Sequence, residues 1–94
     1  MSSVELLRLN DCTMRAIAGL HQELVRRLSG TGPVPVDQTE IRRPNTAVLQ
    51  LLAAFARDLR AQSRPIKWRG ESPAFDRAVK ALGLSAVLGL PVDG

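Results

Sequence analysis

Ninety-four residues with 45% apolar content and a formal charge of +4 describe one small globular domain, residues 1–94, and exclude a disordered chain or a second independent core. Eleven of the thirteen basic residues are arginine, but they are spread along the chain and suit a solvated mixed surface better than a polyanion-binding face. Phe55, Trp68 and Phe75 are the only aromatic residues, so the core must be aliphatic. The single cysteine, Cys12, cannot close an internal disulfide, which points to a reducing compartment. Glu5 and Arg8 break the N-terminal stretch too early for a signal peptide. The longest apolar run, Leu51 to Ala56, is far short of the ~20 residues that span a bilayer. A cytoplasmic protein without direct membrane insertion is expected.

In chain order, Val4 to Leu9 alternates and predicts a strand, punctuated by Asn10-Asp11-Cys12. Met14, Ile17, Leu20, Leu24 and Leu28, with Val25 beside them, recur at helical spacing and predict a helix to about Leu28. Thr13 or Asp11 can cap its start, and Ser29-Gly30-Thr31-Gly32 supplies the stop, with glycine free to turn left-handed. Pro33 to Asp37 reads as a short strand. Its two prolines, Pro33 and Pro35, give no ladder donor and suggest a position near an edge, or only partial pairing. Gln38 to Pro44 reads as loop. Val48, Leu51, Leu52, Phe55 and Leu59 then share one face of a helix that ends near Gln62-Ser63, with Gln50, Arg57 and Arg60 on the other face. Pro65 to Arg69 is a third strand, closed by Gly70. Ser72-Pro73 opens a third helix with its buried face on Phe75, Val79 and Leu82, and Leu84 to Leu90 is an apolar tail, helical or extended, covering one end of the core.

Alternating strands and helices imply an α/β fold with a small, largely parallel sheet of three to four strands packed by helices. Leu20, Leu24, Leu51, Leu52, Phe55, Val79 and Leu82 are expected to meet in one core.

The inventory for chemistry is thin. His21 is the only histidine and sits beside an apolar stripe, where a semi-buried structural role is expected; no catalytic signature surrounds it or Cys12. One cysteine and one histidine cannot supply a zinc site, and Ser29-Gly30-Thr31-Gly32-Pro33 lacks the spacing of a phosphate-binding loop. Asp11, Asp37 and Glu40 fall at loop edges, where capping accounts for them. No enzyme, metal or cofactor is expected. Nucleic-acid binding is the reading the arginines would support, but Phe55 and Phe75 belong to helical core faces and Trp68 alone is no stacking platform.

One stretch stands apart. In Arg42-Arg43-Pro44-Asn45-Thr46, the proline holds Arg43 extended, Asn45 is a good N-cap, and Thr46 occupies the first helical turn. The order of elements and Asn45-Thr46-Ala47-Val48 before an apolar run resemble the STAS domain family of anti-sigma-factor antagonists and similar domains, whose helix start reads Asp-Ser/Thr-Ala/Gly-Gly. Cys12 to Leu24, Pro33 to Ile41 (similar to the family's central strand, with its aspartate at Asp37) and Ser72 to Leu90 resemble further family segments. Asn45 and Val48 depart from the family's usual Asp and Gly, and Val4 begins too late for the family's usual first strand, which would leave an unpaired edge and a tendency to form a homodimer.

The resemblance implies a non-catalytic regulatory module that binds a protein partner. The implied contact residues are Asn10, Asp11, Arg42, Arg43, Asn45 and Thr46, with Thr46 in the place of the family's phosphorylated residue. The implied partner is an anti-sigma-type kinase, a chemotaxis-cluster protein, or the ATPase of a phospholipid-transport ATP-binding-cassette complex.

Overall fold

Three strands, β1 (Leu7–Asn10), β2 (Val34–Glu40) and β3 (Ile66–Arg69), lie parallel in the order β1-β2-β3. Helix α1 (Met14–Leu28) connects the first two strands and α2 (Thr46–Ala61) the last two; α3 (Pro73–Ala81) and the one-turn α4 (Ser85–Leu88) follow. A parallel pair cannot be joined by a tight turn, so the helical crossovers and the parallel sheet come together. The computed structural model describes residues 5–11 and 13–90, with Met14 by its backbone alone. The expectations for Val4, Cys12 and the Met14 side chain lie outside the described residues.

Alternation along the strands divides the sheet into two unlike faces. Leu7, Leu9, Val34, Val36 and Gln38 are buried under the helices, and Ile66 and Trp68 are half-buried beside them. Arg8, Asn10, Lys67 and Arg69 alternate with them on the open face and are exposed. Helix α2 supplies the largest share of the core, with Val48, Leu49, Leu52, Phe55, Ala56 and Leu59 all buried. Phe75 and Val79 of α3 close the layer, and the Phe75 ring meets Trp68 at a centroid distance of 5.3 Å.

Of the expected core, Leu24, Leu52, Phe55 and Val79 are buried, while Leu20 and Leu51 pack against them half-buried. Leu82 is 42% exposed. The helix stops at Ala81, the chain turns at Gly83 with φ +69°, and the Leu84 N–H reaches back to the Val79 carbonyl at 2.9 Å. Leu88 and the half-buried Leu84 therefore cover the end of the core that periodicity assigned to Leu82. Val25, expected beside the α1 stripe, is 52% exposed, and His21 is exposed too. Both lie on the solvent side of the α1–α2 seam rather than in it.

The strand expected near an edge or only partly paired is the central one, as the family resemblance implied, and it runs to Glu40 instead of ending at Asp37. Pro35 is tolerated for a local reason. The Val34 N–H donates to the Pro65 carbonyl on the β3 side. Alternate residues face opposite neighbours, so the donorless nitrogen of Pro35 faces the β1 side, one residue before pairing begins at Val36. At the far end of β3, Gly70 has φ +76°, and a Cβ there would lie 2.1 Å from Thr39 Cγ2. The turn needs a residue without a side chain.

Helix α1 ends at Leu28 as expected, and the left-handed glycine of the stop is Gly32, at φ +79°, rather than Gly30. The buried Arg64 adds to the stop, donating to the carbonyls of Arg27 (3.0 Å), Leu28 (3.2 Å) and Gly32 (2.9 Å), and to Gln62 Oε1 (2.9 Å). A cation on the last carbonyls of a helix satisfies orphan acceptors and complements the dipole. Arg60 and Trp68 fasten α4 similarly, through the carbonyls of Ala86 (3.1 Å) and Leu88 (2.7 Å).

These placements predict a sharp contrast. Leu52→Ala removes a fully buried side chain and should destabilise the domain by about 2–5 kcal/mol. Leu82→Ala should change it by less than about 0.5 kcal/mol. Urea denaturation of the two variants measures both.

Candidate functional site

The C-terminal edge of the sheet is built around an irregularity. Leu7 pairs with Val36 and Arg8 with Asp37, but Asn10 pairs with Glu40, so β2 carries one residue more than β1. Such a bulge leaves a residue unpaired and bends the strand. Here the Asp37 carboxylate holds it, accepting from the Thr39 hydroxyl and from the Thr39 N–H at 2.9 Å. The Thr39 hydroxyl bond, the Thr39 N–H bond and the charge of Arg8 together hold the Asp37 carboxyl below its ordinary range, against a small desolvation penalty. Asp37 thus does a strand's work rather than a loop edge's.

Asp11, just past β1, does not cap α1. Thr13 occupies that N-cap position and makes no side-chain bond. The Asp11 Oδ1 instead accepts from the main-chain N–H groups of Arg42 (2.9 Å) and Arg43 (2.8 Å), 31 and 32 residues further along. The Arg43 N–H bond, then the Arg42 N–H bond, lower the Asp11 pKa, with the two guanidinium charges adding to the effect. This carboxylate ties the end of β1 to the loop that leads into α2. The other side of the loop is held by the Ser72 hydroxyl, which donates to the Ile41 carbonyl at 2.7 Å and accepts from the Phe75 N–H at 3.2 Å.

Asn45 is the N-cap of α2, extended at φ −98° and ψ 128°, and its Oδ1 accepts from the Ala47 N–H at 2.8 Å. Thr46 is the first helical residue. It is exposed, and its hydroxyl makes no hydrogen bond among the described residues. The first turn contains no acidic residue, so the positive helix end is unopposed locally and stands next to Arg42 and Arg43.

All six residues singled out in the sequence therefore share one end of the domain. Asp11 bonds to Arg42 and Arg43, while Asn10, Arg43 and Asn45 line a shallow crease floored by Ile41, Val48 and Leu49. The crease is too slight to enclose a small ligand, so this is a surface rather than a pocket. Trp68 faces the core, which leaves the open sheet face with cations and no aromatic residue among those described. No group of three or more His, Cys, Asp or Glu among the described residues could hold a metal ion, and no described helix is long and apolar enough to cross a membrane. Sequence reasoning missed the long-range roles of Asp11, Arg60 and Arg64. Their main-chain partners lie more than twenty residues away, and no local spacing marks such a bond.

The depressed Asp11 pKa has a sign that can be tested. Its contribution to stability is fully present above the unfolded-state value, about 3.9, and is lost as pH falls through the lower folded-state value. Asp11→Asn keeps an acceptor but removes the charge. The difference in melting midpoint between wild type and Asp11→Asn should therefore be constant near neutral pH and vanish in strong acid. Thermal denaturation of both proteins as a function of pH measures it.

The fold and this geometry can be set beside known proteins. The sequence model of the family described as "Mlab, STAS domain" matches residues 7–90. No individual curated protein matches. STAS domains in general mediate protein–protein contacts and are generally non-catalytic. With three parallel strands, four helices and a match over nearly its whole length, the chain belongs to the STAS domain family.

Proposed function

We propose that this domain is a regulatory contact module whose partner rests on the start of α2, with Thr46 at its centre and Asn10, Asp11, Arg42, Arg43 and Asn45 around it. One observation carries the reading. Asn45 alone caps the helix, so Thr46 is left with an exposed hydroxyl that the fold does not use, on a backbone held from both sides. The surface is small, polar and rigid, which favours recognition of a folded protein over enclosure of a small ligand. The partner is an anti-sigma-type kinase, a chemotaxis-cluster protein or a transporter's ATPase subunit, and the contact itself requires no chemistry from this chain.

Phosphorylation of Thr46 is the switch in this reading. A phosphate there meets the positive end of α2 and the two neighbouring guanidinium groups, so the folded domain accommodates it. A partner pressed on the same surface meets about two added negative charges. Asn45 preserves the cap but puts no carboxylate beside the hydroxyl, so partner contact comes first in the proposal and modification second.

A second reading, self-association, rests on β1, which is an edge strand with its outer side unpaired among the described residues. Such edges accept a further strand unless charge or a covering segment blocks them. Sedimentation at micromolar concentration gives a dimer if this edge pairs with a second copy and a monomer if it does not.

Two adjacent substitutions separate contact from folding. Thr46→Glu should leave stability within about 1 kcal/mol of wild type, since a carboxylate suits the first turn. It should weaken partner binding by several kcal/mol, because an unpaired charge meets a desolvated surface. Asn45→Ala should lose about 1 kcal/mol of stability with the cap, and Thr46→Ala should keep the fold and most of the affinity. Denaturation curves and titration of the purified partner measure the pattern. Undiminished binding by Thr46→Glu would refute the proposal.

A further inference from the structure

The opposite end of α2 carries a second feature, roughly 20 Å along the helix from Thr46. A half-open cleft of about 340 Å³ lies between the end of α2, the start of β3 and α4. Ala56, Pro65, Ile66 and Val87 give it an apolar lining, and Arg60 and Arg64 are its charged residues. Among the described residues no carboxylate lines it. Neither arginine forms a salt bridge among the described residues: Arg64 is held by three carbonyls and an amide oxygen, and Arg60 by the carbonyls of Ala86 and Val87.

That combination is unusual in its charge balance. Arg64 is only 8% exposed, and a buried guanidinium is ordinarily paired with an acid. The carbonyls at the end of α1 satisfy its hydrogen bonds and offset part of its charge, but no carboxylate among the described residues neutralises it. Arg60 is exposed, and its hydrogen bonds among the described residues use Nη2 alone, so Nε and Nη1 remain available as donors. A cleft with walls of low dielectric and two like charges focuses a positive potential. The volume falls at the lower end of the range for small-molecule sites, which are mostly apolar with a few placed polar groups.

We propose that this cleft binds an aliphatic carboxylate, with the alkyl chain along Ala56, Pro65, Ile66 and Val87 and the carboxylate on the remaining N–H donors of Arg60. The charge of Arg64 beneath strengthens the attraction without making the contact. A charge-assisted hydrogen bond from Arg60 suits a carboxylate, and the apolar lining rewards a chain that a free inorganic anion lacks. The site is separate from the partner surface at the start of α2, and either assignment stands without the other.

Decanoate tests the proposal, with decanol and inorganic phosphate as the two halves of its chemistry. Backbone amide shifts in the full chain should move between residues 56 and 66 and between 85 and 89, and those around Thr46 should stay in place. Decanol and phosphate should each bind at least about tenfold more weakly than decanoate. Arg60→Gln keeps a donor for the α4 carbonyls but removes the charge, and it should weaken decanoate by about tenfold. Val87→Asp keeps Arg60 in place and sets an acid in the cleft, and it should abolish binding while the amide spectrum remains that of the folded domain. Shifts centred elsewhere, equal binding of phosphate or decanol, or unchanged affinity in both variants would overturn the assignment.

Discussion

A single carboxylate oxygen, Asp11 Oδ1, joins the two halves of the candidate contact surface by accepting two consecutive main-chain N–H groups. Without it, the segment from Arg42 to Pro44 would be an ordinary surface loop between a strand and a helix. With it, the end of β1 fixes where α2 begins. The bulge in β2, held by Asp37, and the Ser72 bond to the Ile41 carbonyl constrain the same segment from its other sides. Three short polar side chains thus define a backbone that the aliphatic core, lying beneath, leaves unspecified. The Asp11 bonds are charge-assisted, which makes them stronger than neutral ones of the same length.

That constraint explains how a surface with no pocket, metal cluster or catalytic arrangement among the described residues can still be specific. Contact surfaces gain from being preorganised, since less freedom is lost when the partner arrives. Here capping and contact are divided between neighbours. Asn45 spends its side chain on the helix, and Thr46 keeps its own free. The arginines are divided in a similar way. Arg42 and Arg43 are exposed and make their hydrogen bonds to Asp11 through the backbone, whereas Arg60 and Arg64 turn their side chains onto helix carbonyls at the far end. The net charge of +4 therefore does not make a single basic face, and the open sheet surface lacks the aromatic residues a nucleic acid would stack on.

Local chemistry made much of this legible in the sequence. The apolar period of α2 located most of its buried face, Ser72-Pro73 marked the start of α3, and Asn45 announced its cap. What failed to show was non-local. Proline at position 35 argued for an edge, because sequence cannot say which neighbour a missing donor would have faced or where that neighbour's pairing starts. Asp11 looked like a cap for the helix next to it, and its partners proved to be 31 and 32 residues away. Leu82 kept the period of α3, but the turn at Gly83 ended the helix before that position could be covered. His21 sat beside an apolar stripe whose edge, rather than centre, it occupies. The six residues of the candidate surface were nameable from sequence only through the family resemblance; their juxtaposition required the fold.

The central claim, that a partner reads the start of α2, is tested most directly by backbone hydrogen exchange of the domain alone and with its purified partner bound. The account predicts added protection at residues 10–11 and 42–48, with the open sheet face and the α2–α4 cleft unchanged. Protection centred on Arg8, Lys67 and Arg69, or around Arg60, with none at the start of α2, would contradict it.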